Sequence, residues 1–204
     1  MRMAYLFKYY AGLYDGFMKK FNLDKNDEIL KSLGNVEGKK ILDIGGGTGT
    51  LANLLQLKGA EVTLIDPSLQ MVQKAREKNK HIRIYAKVLE ELEDELQEEY
   101  FDYIIIRDAL HHMRRVDEVI KLSHRYLKEK GKILIWEFNS RTLKAKTIYC
   151  FERLCFERCH FFTPESLQLL CTPYFREEEL QLSYGAEMLY KGEKRGKDEV
   201  NRTY

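Results

Sequence analysis

Proline is scarce in this chain, with 3 among 204 residues, and so is any excess of charge. Its 34 lysines and arginines stand against 32 aspartates and glutamates, a formal net charge of +2. A balance that small creates no broad field for a polyanion, so no nucleic-acid partner is expected. No run of eighteen or more uncharged apolar residues occurs, which argues against a conventional membrane-spanning helix. The segment MRMAYLFKYYAGLYDGF lacks the small-residue cleavage pattern of a signal peptide, and the expected location is the cytoplasm. Cysteine is confined to Cys150, Cys155, Cys159 and Cys171, which stay reduced there. What is present is 44% hydrophobic and 32% charged residues, the mixture of an ordinary globular chain with enough length for one continuous core.

Apolar residues Met3, Leu6, Phe7, Tyr10, Leu13, Tyr14, Phe17 and Met18 recur at steps of three and four, the signature of an amphipathic helix. A second short helix is expected at 26–33. The runs KKILDI, EVTLID, HIRIYA, DYIIIR and KILIWEF then read as strands at 39–44, 61–66, 81–86, 102–107 and 132–138. Helices are expected between them at 48–58, 68–78 and 116–127, with a short acidic one near 90–98. Strands that alternate with helices imply an α/β fold with a mostly parallel sheet covered on both faces. Beyond Asn139 a helical stretch at 141–158 leads to HFFTPESLQLL, where Thr163 is placed to cap a helix that begins at Pro164. A closing hairpin is expected from 176–183 and 186–191, turning at Tyr184 and Gly185. The charged end of the chain is expected to fray. One domain is expected over 1–204, with a helical lid at 1–36, the core at 37–192 and a charged tail at 193–204.

The segment ILDIGGGTGTLA places Asp43 near the carboxyl end of a strand and then three alternate glycines, Gly45, Gly47 and Gly49, before a helix. Glycine suits a backbone that must take unusual dihedrals or let a ligand approach. A second carboxylate, Asp66, ends the next strand about twenty residues on, where such sheets place the group that hydrogen-bonds ribose hydroxyls. A dinucleotide site is the rival reading. Counted from Gly47, its fingerprint is met by Gly49 and Ala52, so spacing leaves it open. Asp43 counts against it, because a carboxylate beside the loop repels a pyrophosphate and suits an ammonium.

These segments together resemble a class I S-adenosylmethionine-dependent methyltransferase over residues 38–175. ILDIGGGTGTLA resembles that family's first motif, LIDPS its ribose-binding motif, and FDYIIIRDALHHM and LKEKGKILIWEF its fourth- and fifth-strand motifs. HFFTPESLQLL and the Tyr14-Asp15 pair are similar to the small-molecule branch that includes quinone-biosynthesis methyltransferases. The resemblance implies a doubly wound, Rossmann-like seven-stranded sheet of order 3-2-1-4-5-7-6 with an antiparallel seventh strand. It implies S-adenosylmethionine as cofactor and S-adenosylhomocysteine as product. By the same resemblance Asp43 and the backbone at Gly45 hold the methionine moiety, Gly47 and Gly49 complete the cofactor-binding loop, Asp66 holds the ribose, and Pro67 and Ser68 flank the adenine. Lys87 stands where the family often has an aspartate, which leaves adenine recognition to the backbone of Val88. Arg107 replaces a small residue and brings a guanidinium within reach of a carboxylate of cofactor or substrate.

A sulfonium methyl is already activated, so the enzyme chiefly has to align a nucleophile and exclude water. His111 is the candidate general base and His112 a candidate substrate contact, each with packing or solvation as the plainer role. Tyr10 and Tyr14, with Tyr9, could wall a planar acceptor or pack in the core. Lys8, Lys19 and Lys20 on the same stripe permit contact with a membrane surface. Trp136 and Glu137 end the fifth strand and are candidates for the acceptor pocket, with burial as the alternative. The expected partner is a small molecule of aromatic or quinone-like kind, bound by a monomer or a homodimer. The cysteine spacing matches no strong metal motif, and no metal is expected. Two other functions stay open: an acceptor such as thiol-bound arsenite, and a regulatory domain that binds the cofactor without turnover.

Overall fold

The computed structural model describes residues 26–79, 81–155, 159–182 and 186–200, with only the backbone at 151–155. The tyrosine-rich stripe of the expected lid, with Tyr10 and Tyr14, lies outside these residues, as do the turn at 184–185 and residues 201–204. The strands follow the order β3-β2-β1-β4-β5-β7-β6 in one seven-stranded sheet, as expected. In chain order these strands are β1 (Lys40–Ile44), β2 (Glu61–Ile65), β3 (Arg83–Tyr85), β4 (Phe101–Arg107), β5 (Leu127–Phe138), β6 (Phe175–Leu182) and β7 (Glu187–Lys194). The chain divides into two compact units, one ending at Val88 and the other beginning at Leu89.

In the first unit β1 pairs in parallel with β2, and β2 with β3. The helices are α1 (Asn26–Leu33), α2 (Thr50–Leu57) and α3 (Leu69–Lys78). Ile41, Leu42, Leu64 and Ile65 are buried on both faces of their strands, the apolar run that a covered parallel strand requires. Each such side chain contributes roughly 2 kcal/mol by leaving water. Ser68 caps α3, its hydroxyl accepting the Met71 amide at 3.4 Å, and Arg76 and Lys78 complement the negative end of that helix dipole.

In the second unit β4 and β5 run parallel, while β7 lies antiparallel to both β5 and β6. The helices are α4 (Val116–Tyr126), α5 (Leu143–Cys155), α6 (Pro164–Cys171) and the short α7 (Lys197–Val200). Thr163 caps α6 as expected: its Oγ1 accepts the Ser166 amide at 3.1 Å, and Ser166 Oγ returns the bond to the Thr163 amide at 2.9 Å.

Three expectations are corrected here. The acidic stretch at 90–98 forms only a single 3₁₀ turn, Leu89–Glu91, followed by further turns. Its crowded carboxylates repel one another at helical spacing, and Glu93 and Glu98 instead pair with Arg125 at 2.7 and 2.6 Å. Strand β5 begins five residues earlier than the sequence suggested, at Leu127 opposite Phe101, and its register shifts before Lys132 pairs with Tyr103. The tail does not fray through residue 200. Lys194 Nζ donates to the Leu127 carbonyl at 2.6 Å, Arg195 Nε to the Thr172 and Phe175 carbonyls at 3.0 and 3.2 Å, and Lys197 pairs with Glu99 at 3.0 Å. Among the described residues no helix is long and apolar enough to cross a membrane.

Candidate functional site

In the first unit the loop after β1 is built from conformations that side chains resist. Gly45, Gly47 and Gly49 all have positive φ, at 71°, 55° and 72°. Gly46 does not, but a Cβ there would lie 2.7 Å from Asp43 Oδ2 and from Leu64, so β2 and the buried Asp43 press against the loop. A Cβ on Gly47 meets no heavy atom within 4 Å, so this turn of backbone faces open space. Asp66 holds the loop from beneath. Its Oδ2 accepts the Gly47 amide at 3.0 Å and its Oδ1 the Ser68 amide at 2.8 Å. Burial pushes the Asp66 carboxyl above its ordinary pKa, and these two amide bonds pull the other way. Lys78 Nζ donates to Thr48 Oγ1 and Thr50 Oγ1 at 2.9 and 2.8 Å, tying the end of α3 to the loop.

The loop's amide directions separate the two nucleotide readings. Gly45 and Gly46 donate to the Ile65 carbonyl at 2.8 and 3.2 Å, Gly47 to Asp66, and Gly49 to the Gly46 carbonyl at 3.0 Å. Four loop amides are thus turned into the protein, whereas a pyrophosphate cradle needs them turned outward. An uncharged adenosyl group with vicinal hydroxyls fits better. Asp66 Oδ2 accepts the Gly47 amide and Oδ1 the Ser68 amide, and a carboxylate oxygen that accepts one amide retains a second lone pair.

In the second unit Arg107 ends β4 half-buried, and the chain turns through Asp108, whose φ is +48° and whose amide donates to the Trp136 carbonyl at 2.9 Å. A 3₁₀ turn, Leu110–His112, follows. It carries His111 inward, to 1% exposure, where Nδ1 lies 2.7 Å from Glu137 Oε2 on β5. Glu137 Oε1 also accepts the His111 amide at 3.3 Å, and Oε2 the Phe138 amide at 3.2 Å. The His160 amide donates to the His111 carbonyl at 2.8 Å. Around the imidazole stand the rings of His112, Phe161 and Phe138, at centroid distances of 4.0, 5.0 and 5.7 Å. Burial raises the Glu137 carboxyl, but the charge and hydrogen bonds of His111 more than offset it, leaving its pKa below the ordinary value. Asp108 behaves oppositely: burial pushes its carboxyl up to about 7 against the pull of Arg107 and His111. Asp108 Oδ1 is sealed from solvent and has no hydrogen-bond partner among the described residues.

The structure brings Asp43 of β1 and Asp66, just past β2, against the loop that carries Gly45, Gly47 and Gly49, with Pro67 exposed next to Asp66 and Val88 exposed at the end of that unit. Trp136 departs from its expected place on an acceptor wall. It is 2% exposed with Nε1 sealed, because successive strand residues face opposite sides and Glu137 takes the side of His111. Neither the burial of Asp108 nor the pairing of Glu137 with His111 follows from residue spacing. An acid at the end of the apolar run ILIWEF was the available signal, since a buried carboxylate needs a partner. Cys159 and Cys171 are buried and Cys150 is exposed. Among the described residues no group of three or more histidines, cysteines or acids is placed to hold a metal ion.

A family model described as a methyltransferase domain matches residues 14–174. The chain belongs to that family. It is a class I S-adenosylmethionine-dependent methyltransferase, and S-adenosylmethionine is its cofactor. An uncharacterized methyltransferase of Staphylococcus carnosus is 33% identical over 159 residues, covering 72% of this chain and 74% of its own. A ubiquinone biosynthesis O-methyltransferase of Alkalilimnicola ehrlichii is 32% identical over 117 residues, 55% of this chain and 47% of its own. This methyltransferase thus matches about half the length of such quinone-pathway relatives. In fold it resembles a Thermotoga maritima methyltransferase described as a possible histamine N-methyltransferase. The TM-score is 0.77 at 19% identity, over 94% of this chain and 99% of the other.

Proposed function

We propose that this methyltransferase acts on a small-molecule acceptor of aromatic or quinone-like kind, and that the loop after β1 and Asp66 hold its methyl donor. The observation that carries the reading is Asp66, a buried carboxylate fixed by two backbone amides at the end of β2 with lone pairs left for the two ribose hydroxyls. Asp43, buried beneath Gly46, supplies the negative charge for the amino-acid ammonium, and the backbone at Gly45, Gly47 and Gly49 gives the ligand close approach. Pro67 and Val88 flank the adenine, and Arg107 takes a carboxylate of donor or acceptor. When bound, S-adenosylmethionine supplies an electrophilic methyl group. His112, half-exposed beside the buried His111, is the contact to the acceptor, together with Tyr10 and Tyr14. His111 is the general base. The quinone-biosynthesis name carried by relatives at about 32% identity supports the acceptor class.

Calorimetric titration with S-adenosylhomocysteine, with NAD as control, tests the donor site. Selective binding that weakens at least about tenfold in Asp66→Ala is the expected result, on the order of the loss of a charge-assisted hydrogen-bond pair. Preference for NAD, or unchanged binding in the variant, refutes it. Product formation in an acceptor screen separates the enzyme from a regulatory domain that binds without turnover.

A further inference from the structure

In the donor site proposed above, the loop after β1 takes the amino acid and Asp66 the ribose, and the base needs a place of its own. Within the first unit β2 lies between β1 and β3. A ligand that starts on the loop after β1 and rests its ribose on Asp66, just past β2, therefore carries its base toward the end of β3. The two strand ends are fastened together there, because the Asp66 amide donates to the Tyr85 carbonyl at 3.1 Å. Beyond Tyr85 the chain leaves the sheet through Ala86 and Lys87, both half-buried, and reaches the exposed Val88. On the other side of Asp66, Pro67 and Leu69 are exposed and apolar.

Adenine and a 6-oxopurine differ at the edge that carries N7 and the six position. Adenine shows an acceptor and an amino donor there, whereas a 6-oxopurine shows two acceptors, N7 and O6. Reading the amino group thus requires an acceptor from the protein, and acceptors are scarce in this corner. No residue of 67–70 or 84–88 is acidic. The Ile84 carbonyl accepts from the Arg76 guanidinium at 3.3 Å, and the Tyr85 carbonyl is engaged by the Asp66 amide. The Ser68 hydroxyl accepts the Met71 amide at 3.4 Å and donates to Gln70 Oε1 at 3.3 Å. The one charged side chain among these residues is Lys87, and an ammonium has three donors and no acceptor.

We propose that Lys87 leaves this site unselective for the 6-amino group of adenine, and that the site holds a 6-oxopurine, inosyl form of the donor as well as the adenosyl form or better. The inference rests on the donor-site reading above and concerns only the base. An ammonium beside N7 meets a second acceptor in O6 and a repelling donor in the 6-amino group. The same ammonium can still donate to N7 of adenine while the amino group stays in water beside the exposed Val88, so S-adenosylmethionine remains a ligand.

The test is calorimetric titration of the full chain at pH 7 with S-adenosylhomocysteine and with S-inosylhomocysteine, its 6-oxo counterpart. The wild type, Lys87→Asp and Lys87→Met are compared. The readout is the ratio of the two affinities within one variant, from which any loss of folded protein cancels. The wild type is expected to bind the inosyl compound no more than about threefold more weakly than the adenosyl one, since no acceptor is lost with the amino group. In Lys87→Asp a carboxylate replaces the ammonium, accepts the amino group and repels O6. The ratio should then move at least about tenfold toward the adenosyl compound. Lys87→Met removes the donor without adding an acceptor, and should move the ratio the same way by at least about threefold. A wild type that favours the adenosyl compound by more than about threefold, or a smaller movement in either variant, overturns the proposal. Binding of neither compound by the wild type strikes the donor-site reading instead, so the two failures are distinguishable.

Discussion

Alanine at Gly47 and at Gly49 should damage the protein in different ways, although the two residues lie in one loop and both have positive φ. The left-handed conformation costs a residue with a Cβ about 1–2 kcal/mol wherever it occurs. At Gly49 the new methyl also lies 2.9 Å from the Ala75 Cβ and 3.3 Å from its Cα, inside van der Waals contact with a buried turn of α3. Overpacking of that kind adds about 1–3 kcal/mol, so Gly49→Ala is expected to lose about 2–5 kcal/mol of stability. At Gly47 nothing stands within 4 Å of the methyl, and the loss should stop near 1–2 kcal/mol. That methyl enters the space assigned to the donor, and S-adenosylhomocysteine should bind at least about tenfold more weakly, or 1.4 kcal/mol. Urea unfolding monitored by circular dichroism gives the first quantity and calorimetric titration the second. Equal destabilisation by the two variants, or unchanged affinity in a folded Gly47→Ala, would refute this account of the loop.

The other predictions concern buried ionisable groups. Asp108 has a folded pKa of about 7 against 3.8 for the unfolded chain. The folded state therefore holds this proton longer, and the contribution to stability is complete below the unfolded value and falls as pH rises toward 7. Between pH 5 and pH 8 the wild type should lose up to about 3 kcal/mol that Asp108→Asn keeps, so the difference in unfolding free energy between them must widen with pH. Parallel curves would show that Asp108 ionises without penalty. Among the cysteines, alkylation of the native protein at pH 8 should modify Cys150, which is exposed, and spare Cys159 and Cys171, which are buried. Burial, with Glu177 nearby, also holds the Cys171 thiol far above its ordinary pKa. Rapid labelling of Cys171, read by peptide mass, would contradict its placement and reopen a thiol-bound acceptor.

What was legible in the sequence follows from how local the responsible forces are. The runs ILDI, VTLI and YIIIR show as strands because both faces of a parallel strand must be apolar, and that leaves an unbroken hydrophobic mark. The glycine loop shows because its left-handed backbone admits few other residues. Thr163 and Pro164 show because a helix start is a local arrangement of a hydroxyl and an amide. The misread segments depend on distant partners. Glu93 and Glu98 belong to turns, and Arg125 some thirty positions later takes their charge. Residues 193–200 lack any apolar period, yet they are held by the Leu127, Thr172 and Phe175 carbonyls. The second unit's site was hidden for the same reason. His111 and Glu137 are 26 residues apart, and neither has chemical meaning alone: a histidine in that position can pack or ionise, and a glutamate can end a strand. Register decides between those roles. With Arg107 opposite Trp136, the strand's alternation sends Trp136 into the core and Glu137 to the histidine, and a shift of one residue would exchange them. A sequence that supplies both an indole and a carboxylate at a strand end therefore poses two sites, and the pairing of β4 with β5 selects one.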